Sequence, residues 1–298
     1  MVVGSVNVDT TMTVDRLPGA GETLLAADVR SALGGKGANQ AVAARRQGTQ
    51  TALVAALGDD SAGTGARDDL LAEGLDLDAV VTRPGVPTGA AHIAVDRHGA
   101  NTILVAQGAN GTLTAADVGR AAPLITSSSV VLVQLEIPVE AVLAAMRVGS
   151  DAGALTILNP APARPIPAEI LAQCRVLVPN EHEAARLSGE ADPEAALGVL
   201  AAMAPAAVVI VTCGERGVLV GGAGHAAVTQ IPAFAVKAVD TVAAGDAFCG
   251  VLAAALATGQ PILDAVRRAG AAGAFAVTVA GAIPSLPTRA EVDQILAG

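Results

Sequence analysis

The chain has 298 residues, of which 52% are hydrophobic and 15% are charged, and its formal net charge is −10. The apolar fraction excludes a disordered chain, and the acidic balance disfavours nucleic acid and anionic membranes, so we expect neither as a partner. Because it contains three Phe and neither Trp nor Tyr, the chain cannot bind a sugar or a base by stacking it on Trp or Tyr. Backbone groups, small polar side chains and aliphatic walls must hold any ligand.

The cysteines and the apolar stretches indicate a cellular compartment. Cys174, Cys213 and Cys249 are an odd number of cysteines with no C-x-x-C pair, which argues against a disulfide framework and a zinc site. Residues 1–15 alternate in polarity and carry acids, unlike a signal peptide. The longest apolar stretch, residues 269–283, is short for a bilayer and predicts a buried helix. We therefore expect a cytoplasmic protein with reduced thiols.

The first third of the chain is predicted to mix buried and half-exposed strands. The expected strands are residues 2–6, 22–33, 51–57, 89–96 and 101–106, and the expected helices are residues 38–46 and 61–73. The strands 22–33, 89–96 and 101–106 are expected to be antiparallel. They predict a small second sheet that acts as a lid, with its strands inserted at about 10–33 and 88–106.

From residue 130 onward, strands and helices alternate regularly. The predicted strands are residues 130–135, 155–158, 176–178 and 208–212, a hairpin is expected at 217–220 and 225–230, and the predicted helices are residues 138–148, 181–187, 193–203, 245–257 and 262–279. Repeated strand–helix units imply a parallel sheet with helices on both faces and ligands at the carboxyl ends of its strands. We predict a single α/β domain over residues 1–298.

The segment with the clearest chemistry is VDTVAAGDAF at residues 239–248, where small residues lead into a predicted helix. The unpaired N–H groups and the positive dipole end at such a helix start suit an anion. Asp246 in the first turn could take a proton from a substrate hydroxyl that attacks phosphorus. The alternative is that Asp246 only caps the helix.

A glycine-rich segment, GGKGAN at residues 34–39, precedes a predicted helix. Its glycines let the backbone pass close to a ligand, while Lys36 and Asn39 offer hydrogen-bond donors. Because Lys36 is followed by Gly37 and not by Ser or Thr, the segment is not a Walker A loop. The alternative is a simple glycine turn before a helix.

Other polar residues follow predicted strands. Asn7 and Asp9, expected at the end of the first strand, are two residues apart and project to the same side, which suits vicinal hydroxyls. Glu136 ends another strand. Asn180 and Glu183 follow a third strand and could hold Mg²⁺ through water. The alternatives are a turn at Asn7, a solvated strand end at Glu136, and a helix start whose acids favour its dipole.

These motifs, in this order and spacing, resemble the ribokinase family of carbohydrate and nucleoside kinases over nearly the whole chain. The resemblance rests on GSVNVD at 4–9, GGKGAN at 34–39 with QAVAA at 40–44, GDD at 58–60, QLE at 134–136, NPAPA at 159–163, PNE at 179–181 and residues 240–248. It implies a three-layer α/β/α fold with a mostly parallel central sheet and a small β-sheet lid. It also implies transfer of the γ-phosphoryl group of ATP to the 5-hydroxyl of D-ribose.

The resemblance also implies the roles of individual residues. Asp246 is expected to be the general base, with an anion hole formed by the N–H groups of Ala243, Ala244 and Gly245. The expected sugar contacts are Asn7, Asp9, Gly35, Lys36, Gly37, Asn39, Glu136 and Asp246. The expected ATP contacts are Asn180, Thr212, Gly214, Glu215, Gly217, Gly245 and Asp246, with Glu183 on Mg²⁺ through water. An activating K⁺ is expected at Asp240, Val242, Ala276, Val279, Gly281 and Ser285, and a homodimer is expected to form through the lid strands.

Two alternatives stay open at this point. The first is a kinase of the same family for deoxyribose, a ketohexose, a ketodeoxy sugar acid or a nucleoside, of which deoxyribose is the hardest to exclude. Asp9 favours a neutral polyol over an acid, and the lack of aromatic residues argues against a nucleobase pocket. The second alternative is a sugar sensor without catalysis, which the presence of Asp246 argues against because a sensor needs no base.

Overall fold

Short runs of Val, Leu and Ile form most of the strands in the computed structural model, which describes residues 1–298. The strands are β1 (Val2–Val3), β2 (Asn7–Thr13), β3 (Asp28–Gly34), β4 (Leu53–Gly58), β5 (Val80–Arg83), β6 (Gly89–Val95), β7 (Asn101–Ala106), β8 (Val130–Val133), β9 (Leu155–Leu158), β10 (Val176–Leu177), β11 (Val208–Thr212), β12 (Val218–Gly222) and β13 (Thr229–Ile231).

These strands form two separate sheets. The large sheet has the order β13-β12-β11-β10-β9-β8-β1-β4-β5. All its neighbouring strands are parallel except in the hairpin formed by β11, β12 and β13 at one edge. The small sheet has the order β3-β2-β6-β7, and only its central pair, β2 and β6, is parallel.

Helices cover both faces of the large sheet. They are α1 (Lys36–Arg46), α2 (Ser61–Ala72), α3 (Ala115–Arg120), α4 (Ala122–Thr126), α5 (Val139–Asp151), α6 (Ala168–Leu171), α7 (Glu181–Ser188), α8 (Pro193–Met203), α9 (Ala244–Ala257), α10 (Ile262–Ala276) and α11 (Arg289–Ala297). Since successive residues of a strand point to opposite faces, each buried strand supplies both cores. Val2 belongs to the core that includes residues of α1, α2, α9, α10 and α11, whereas Val3 belongs to the core that includes residues of α3 to α8. The predicted three-layer fold with a smaller second sheet is confirmed.

The small sheet grows out of the carboxyl ends of the large one. Strand β2 begins four residues after β1 ends, and β6 follows β5 after a short loop. Strand β3 leads through Gly35 directly into α1. The small sheet therefore stands over the edge of the large sheet at which α/β proteins bind ligands. Among the helices, none has the combined length and hydropathy that a bilayer span requires.

Two predictions for the N-terminal third were wrong. The first strand ends at Val3, and Asn7 and Asp9 lie within β2 of the small sheet. The strand ends early because the side chain of Asn110 takes the place of a neighbouring strand, binding both the N–H and the carbonyl of Val6. The predicted strand 22–33 begins only at Asp28, since the preceding residues form a loop around a turn at Gly19.

The predicted helix 262–279 is too long by three residues. Helix α10 ends at Ala276, where the carbonyl of Val277 accepts hydrogen bonds from the N–H groups of Val239 and Asp240 in the loop before α9. The apolar stretch 269–283 is accordingly one buried helix only up to Ala276. Beyond it, the chain turns through Gly281, which has a φ of 89°. This turn brings the end of α10 against the start of α9.

Candidate active site

The start of helix α9 leaves N–H groups free to bind an anion. Ala243, which precedes the helix, has a φ of 59° and is the one non-glycine residue of the chain in the left-handed region. No side chain caps α9, and the N–H groups of Ala243 and Gly245 donate to no protein atom. The N–H of Ala244 makes only a 3.4 Å contact with the carbonyl of Thr241. The backbone therefore offers donors at the position expected for the anion hole.

The carboxylate of Asp246 is buried and is held by helix α1 instead of capping its own helix. Its Oδ2 accepts a 2.9 Å hydrogen bond from Nδ2 of Asn39, and its Oδ1 accepts one of 2.9 Å from Nε2 of Gln40. The alternative that Asp246 only caps α9 is therefore wrong. Each oxygen keeps a second lone pair, so the group can still accept a proton from a substrate hydroxyl.

Helix α9 comes close to α1 at Gly250. A Cβ on Gly250 would lie 2.5 Å from the carbonyl oxygen of Gln40 and 2.6 Å from Cβ of Ala43. Both distances are shorter than any van der Waals contact, so a residue with a side chain would force the helices apart. The glycine thus sets the spacing at which the two α1 side chains reach Asp246.

A cavity of about 190 Å³ lies beside Asp246 at the carboxyl ends of the strands. Its lining comprises Lys36, Asn159, Ala161, Val178, Asn180, Glu183, Thr212, Thr241, Ala243, Gly245, Asp246, Phe248 and Cys249. The nearby carboxylate of Asp246 raises the pKa of Lys36, and the carboxylate of Glu136 adds a smaller increase. Burial of Lys36 acts in the opposite direction. The predicted base, the anion-hole backbone and several expected ATP contacts therefore share one cavity.

Glu136 sits at the start of α1. It accepts hydrogen bonds from the hydroxyl of Ser5 and from the backbone N–H of Lys36, the latter at 3.1 Å. The Ser5 hydroxyl in turn accepts the N–H of Gly37 at 3.3 Å. This close approach requires glycine, because a Cβ on Gly37 would lie 2.5 Å from the backbone N of Ser5. Glu136 is therefore tied to the glycine-rich segment and is not a freely solvated strand end.

Asn7 is oriented by a residue that the sequence did not single out. Nδ2 of Asn110 donates to Oδ1 of Asn7 at 2.7 Å, which leaves Nδ2 of Asn7 as the free donor. A Cβ on Gly89 would lie 2.4 Å from that Oδ1, so the glycine makes room for the pair. Asn7 therefore keeps an amide N–H₂ group that is available to a ligand.

Two buried hydrogen-bond acceptors, on Asp9 and Asn39, lack a protein partner. Oδ1 of Asp9 and Oδ1 of Asn39 are inaccessible to solvent and receive no hydrogen bond. Burial raises the pKa of Asp9 to about 6, and the negative charges of Glu136 and, more weakly, Asp246 add to the increase. Buried acceptors without partners are costly, so they indicate a ligand that brings hydroxyl groups.

The expected ATP contacts lie around the ends of β10 and β11. Oδ1 of Asn180 accepts the N–H of Glu183 at 2.8 Å, and the Glu183 carboxylate accepts the N–H of Asn180 at 2.9 Å. These two hydrogen bonds form a capping box, so Asn180 and Glu183 also begin helix α7. Thr212 pairs with Asn180 in an isolated bridge. Gly214, Glu215 and Gly217 lie in the turn after β11, outside the cavity lining.

Few protein ligands are available for the predicted Mg²⁺. No group of three or more His, Cys, Asp and Glu side chains is placed to hold a metal ion. Mg²⁺ in nucleotide sites commonly keeps several waters and uses phosphate oxygens, so it needs no protein cage. Burial raises the pKa of Glu183, although the hydrogen bond from Asn180 and the charge of Lys36 oppose this effect. Glu183 in the cavity therefore fits an ion reached through water.

Hydrogen bonds connect only some of the residues predicted to bind K⁺. Oδ1 of Asp240 accepts the N–H of Val242 at 3.0 Å, and Oδ2 accepts the N–H of Gly281 at 2.9 Å. The loop before α9 and the turn after α10 are thus tied together beside the anion hole. Ala276 is the last residue of α10, and Val279 lies three residues beyond it. The Ser285 hydroxyl is buried and donates to the carbonyl of Ala282 at 2.8 Å.

Sequence reasoning missed the residues that support these groups. Gln40 binds Asp246 and is itself bound to Gln134 and Asn159. Ser5 binds Glu136, and Asn110 binds Asn7. The supporting residues other than Asn110 lie in the quoted motifs, where a polar residue within an apolar run was the available signal. Asn110 follows a short glycine turn that carried no such signal. The structure alone identifies it.

Comparison with known proteins agrees with the fold. The profile of the pfkB family carbohydrate kinases matches residues 1–289. Ribokinase of Bacillus subtilis is 41% identical over 99% of this chain and 98% of its own length. The bifunctional ribokinase/ribose-5-phosphate isomerase A of Fructilactobacillus sanfranciscensis is 39% identical over 99% of this chain, which spans only 56% of that longer protein.

A solved structure extends the agreement to three dimensions. Arabidopsis thaliana ribokinase complexed with ribose and ATP superposes with a TM-score of 0.91 and 32% identity, covering 99% of this chain and 97% of that one. The sequence match spans almost the entire length, and the superposition includes both sheets. The chain therefore belongs to the pfkB family of carbohydrate kinases.

Proposed function

We propose that this protein transfers the γ-phosphoryl group of ATP to the 5-hydroxyl of D-ribose, producing D-ribose 5-phosphate and ADP. The observation that carries this proposal is the placement of Asp246. Its buried carboxylate lies at an uncapped helix start, and near it Asp9 and Asn39 each keep a buried acceptor without a protein partner. One end of the site thus suits a phosphoryl group and the other suits a polyol.

In the proposed reaction, Asp246 accepts the proton of the ribose 5-hydroxyl as that oxygen forms its bond to the γ-phosphorus. The bond between this phosphorus and the bridging oxygen of ADP breaks at the same time. The N–H groups of Ala243, Ala244 and Gly245 stabilise the charge that develops on the transferring group. Loss of one such preset donor in an enzyme typically lowers kcat by about 10²–10³-fold.

The polar residues below the small sheet account for sugar binding. Asp9 and Asn39 accept hydrogen bonds from sugar hydroxyls, and Asn7 donates one through Nδ2. Lys36 and Glu136, with the backbone of Gly35 and Gly37, complete the set of sugar contacts. A sugar that lacks one hydroxyl leaves a buried acceptor unpaired, which costs about 1–3 kcal/mol. We therefore expect about 10- to 100-fold discrimination against 2-deoxyribose.

ATP is proposed to occupy the neighbouring part of the cleft. Asn180 and Thr212 would contact the nucleotide, together with the turn that contains Gly214, Glu215 and Gly217. Glu183 would hold Mg²⁺ through water, and the ion would neutralise charge on the phosphates. Lys36 remains protonated beside Asp246, because that carboxylate raises its pKa.

An activating K⁺ is proposed beside the anion hole. The carboxylate of Asp240 accepts only backbone N–H groups from Val242 and Gly281, so each oxygen keeps a free lone pair at the junction of two loops. Backbone carbonyls of Val242, Ala276, Val279 and Gly281 and the buried Ser285 would supply the remaining oxygens. A cation there would order the loop that carries the anion hole.

A homodimer through the small sheet is also proposed. Strands β3 and β7 are its edges, and they expose Val29, Ile103, Leu104 and Val105 to between 52% and 68%. Neighbouring residues of a strand point to opposite faces, so β7 is apolar on both. Exposed apolar edges favour pairing with another chain. The three buried, free cysteines fit a cytoplasmic location, which we also propose.

The deciding experiment is an ADP-release assay with a panel of sugars, with and without K⁺. We expect ribose to be turned over at least about tenfold more efficiently than 2-deoxyribose, other pentoses or a ketohexose. Asp246→Asn should lose at least about 10³-fold in kcat while still binding ribose. No preference for ribose would refute the substrate assignment. Ribose binding without turnover in the wild type would indicate a sensor.

A further inference from the structure

Gln40 is a buried polar residue whose amide group makes three side-chain hydrogen bonds. It is 0% exposed and lies on α1 next to Asn39. Its Nε2 donates to Oδ1 of Asp246 at 2.9 Å and to Oδ1 of Asn159 at 3.0 Å. Its Oε1 accepts a hydrogen bond of 2.6 Å from Nε2 of Gln134. Both amide hydrogens of Gln40 are thus used, and one of them is committed to the catalytic base.

Two neighbouring groups, Asn159 and Asp246, independently determine which way the Gln40 amide points. The backbone carbonyl of Val178 can only accept, so Nδ2 of Asn159 must be the donor in their 2.8 Å hydrogen bond. Oδ1 of Asn159 is then turned towards Gln40 and requires a donor there. Oδ1 of Asp246 faces Gln40 as well and accepts a hydrogen bond from it. Both groups therefore select the same amide orientation, with Nε2 of Gln40 towards Asp246.

The two donors on Asp246 have different surroundings. Asn39 is one of the expected sugar contacts, and its Oδ1 is buried without a protein partner. In Gln40, by contrast, both Nε2 and Oε1 are hydrogen-bonded to other side chains. Gln40 is connected instead to Gln134 and Asn159, which follow β8 and β9 of the large sheet. Asn39 can respond to a ligand, while Gln40 connects the base to the rigid sheet.

We infer that Gln40 is a positioning residue for phosphoryl transfer. It acts by fixing the orientation of the Asp246 carboxylate. This inference rests on the proposed function. With one oxygen pinned by Gln40, the plane of the carboxylate is set before the sugar arrives, and its remaining lone pair points to one place. Gln134 and Asn159 fix the Gln40 amide in turn. Loss of the amide donor should therefore lower kcat with little change in ribose binding.

The test is the variant Gln40→Met, which has a similar length and no donor. Loss of a hydrogen bond to a charged group should reduce kcat about 10- to 100-fold. The Kd of ribose, measured by calorimetry, should stay within about threefold of the wild type. Gln134→Met, which removes only the support of the Gln40 amide, should give a smaller reduction of about 3- to 10-fold.

Gln47→Met is the matched control. Gln47 is also a buried glutamine at the end of α1, and its Nε2 donates only to the carbonyl of Pro287, at 3.0 Å. Its loss should lower the thermal midpoint but leave kcat within about twofold. An equal loss of kcat in Gln47→Met, or a kcat for Gln40→Met within twofold of the wild type, would overturn the inference.

The outcome stays interpretable if Gln40→Met does not fold. In that case Gln134→Met decides, and an unchanged kcat in that variant would overturn the positioning role. A kcat loss accompanied by an equal loss of ribose affinity would also overturn it, because it would indicate a general structural role. Failure of the proposed function is distinguishable, since the wild type itself would then show no turnover of ribose.

Discussion

Replacing Asp9 by Asn should have opposite effects on two quantities: it should stabilise the folded protein and weaken the binding of ribose. Burial raises the pKa of Asp9 from 3.8 to about 6, with the charges of Glu136 and Asp246 contributing. Between these two pH values the folded state binds more protons than the unfolded state, so the free energy of unfolding falls as the pH rises. The cost is absent below about pH 4 and complete above about pH 6.

The size of the cost follows from the two pKa values. Each pH unit between them corresponds to about 1.4 kcal/mol, so the folded protein loses at most about 3 kcal/mol through Asp9 at neutral pH. Asp9→Asn removes the charge and keeps the size of the side chain. The variant should therefore unfold at a higher urea concentration than the wild type at pH 7.5. The two proteins should have the same stability near pH 4.

Ribose binding should change in the opposite direction. Oδ1 of Asp9 is a buried acceptor without a partner, so loss of the carboxylate should raise the KM for ribose about 10- to 100-fold. In the wild type, the ionised fraction of Asp9 falls from about 0.9 at pH 7 to about 0.1 at pH 5, which predicts an increase in KM of about tenfold. In Asp9→Asn, the KM should not vary over this range.

The assays are urea unfolding of the ligand-free protein from pH 4 to pH 8 and ADP release with increasing ribose. The reasoning is refuted if Asp9→Asn has no stability advantage at pH 7.5, or if that advantage persists unchanged at pH 4. A wild-type KM that does not vary between pH 5 and pH 7 would show that the carboxylate of Asp9 is not raised into this range or does not bind the sugar.

Three further predictions concern the supports of the site. Gly250→Ala should destabilise the protein by about 1–3 kcal/mol in urea unfolding and lower kcat, because its Cβ would overlap α1. The control is Gly198→Ala on α8, where a Cβ meets no atom within 4 Å, and this change should stabilise the protein by up to about 1 kcal/mol. Equal effects of the two substitutions would contradict the packing argument. Asp240→Asn should abolish the difference in kcat between K⁺ and choline buffers, and an undiminished K⁺ response would exclude this site. Asn110→Ala should raise the KM for ribose about tenfold, since Asn7 and the backbone N–H and carbonyl of Val6 lose their hydrogen-bond partner. An unchanged KM in a folded variant would show that Asn7 does not need Asn110 to orient it.

The later part of the fold could be predicted well from local patterns. The predicted bounds of β9, α8 and β11 coincide with those observed. These elements are apolar runs between clear stop signals, such as Asp192 and Pro193 at the start of α8, where the Asp side chain accepts the N–H of Ala195. Local chemistry determined their ends, so no distant contact was needed.

Predictions failed where a distant residue replaced a local partner. The strand 2–6 pattern is continuous in hydropathy, but Asn110 is 104 residues from Val6 and binds its backbone. The end of α10 is likewise set by the loop before α9, through the carbonyl of Val277. Strand β5 and helices α3, α4, α6 and α11 were not predicted. Most of them are short, and a short pattern is difficult to distinguish from a loop.

The alternation of strands and helices, the exclusion of aromatic stacking and the family motifs could all be inferred from the amino-acid sequence. Those properties are local, because they depend on side-chain type and spacing. The hydrogen bond between Gln40 and Asp246, which are 206 residues apart, is visible only in the folded chain. The same is true of the buried acceptors that Asp9 and Asn39 keep free. Such properties depend on which groups are paired after burial, and pairing across the chain follows from the packing of α1 against α9 at Gly250.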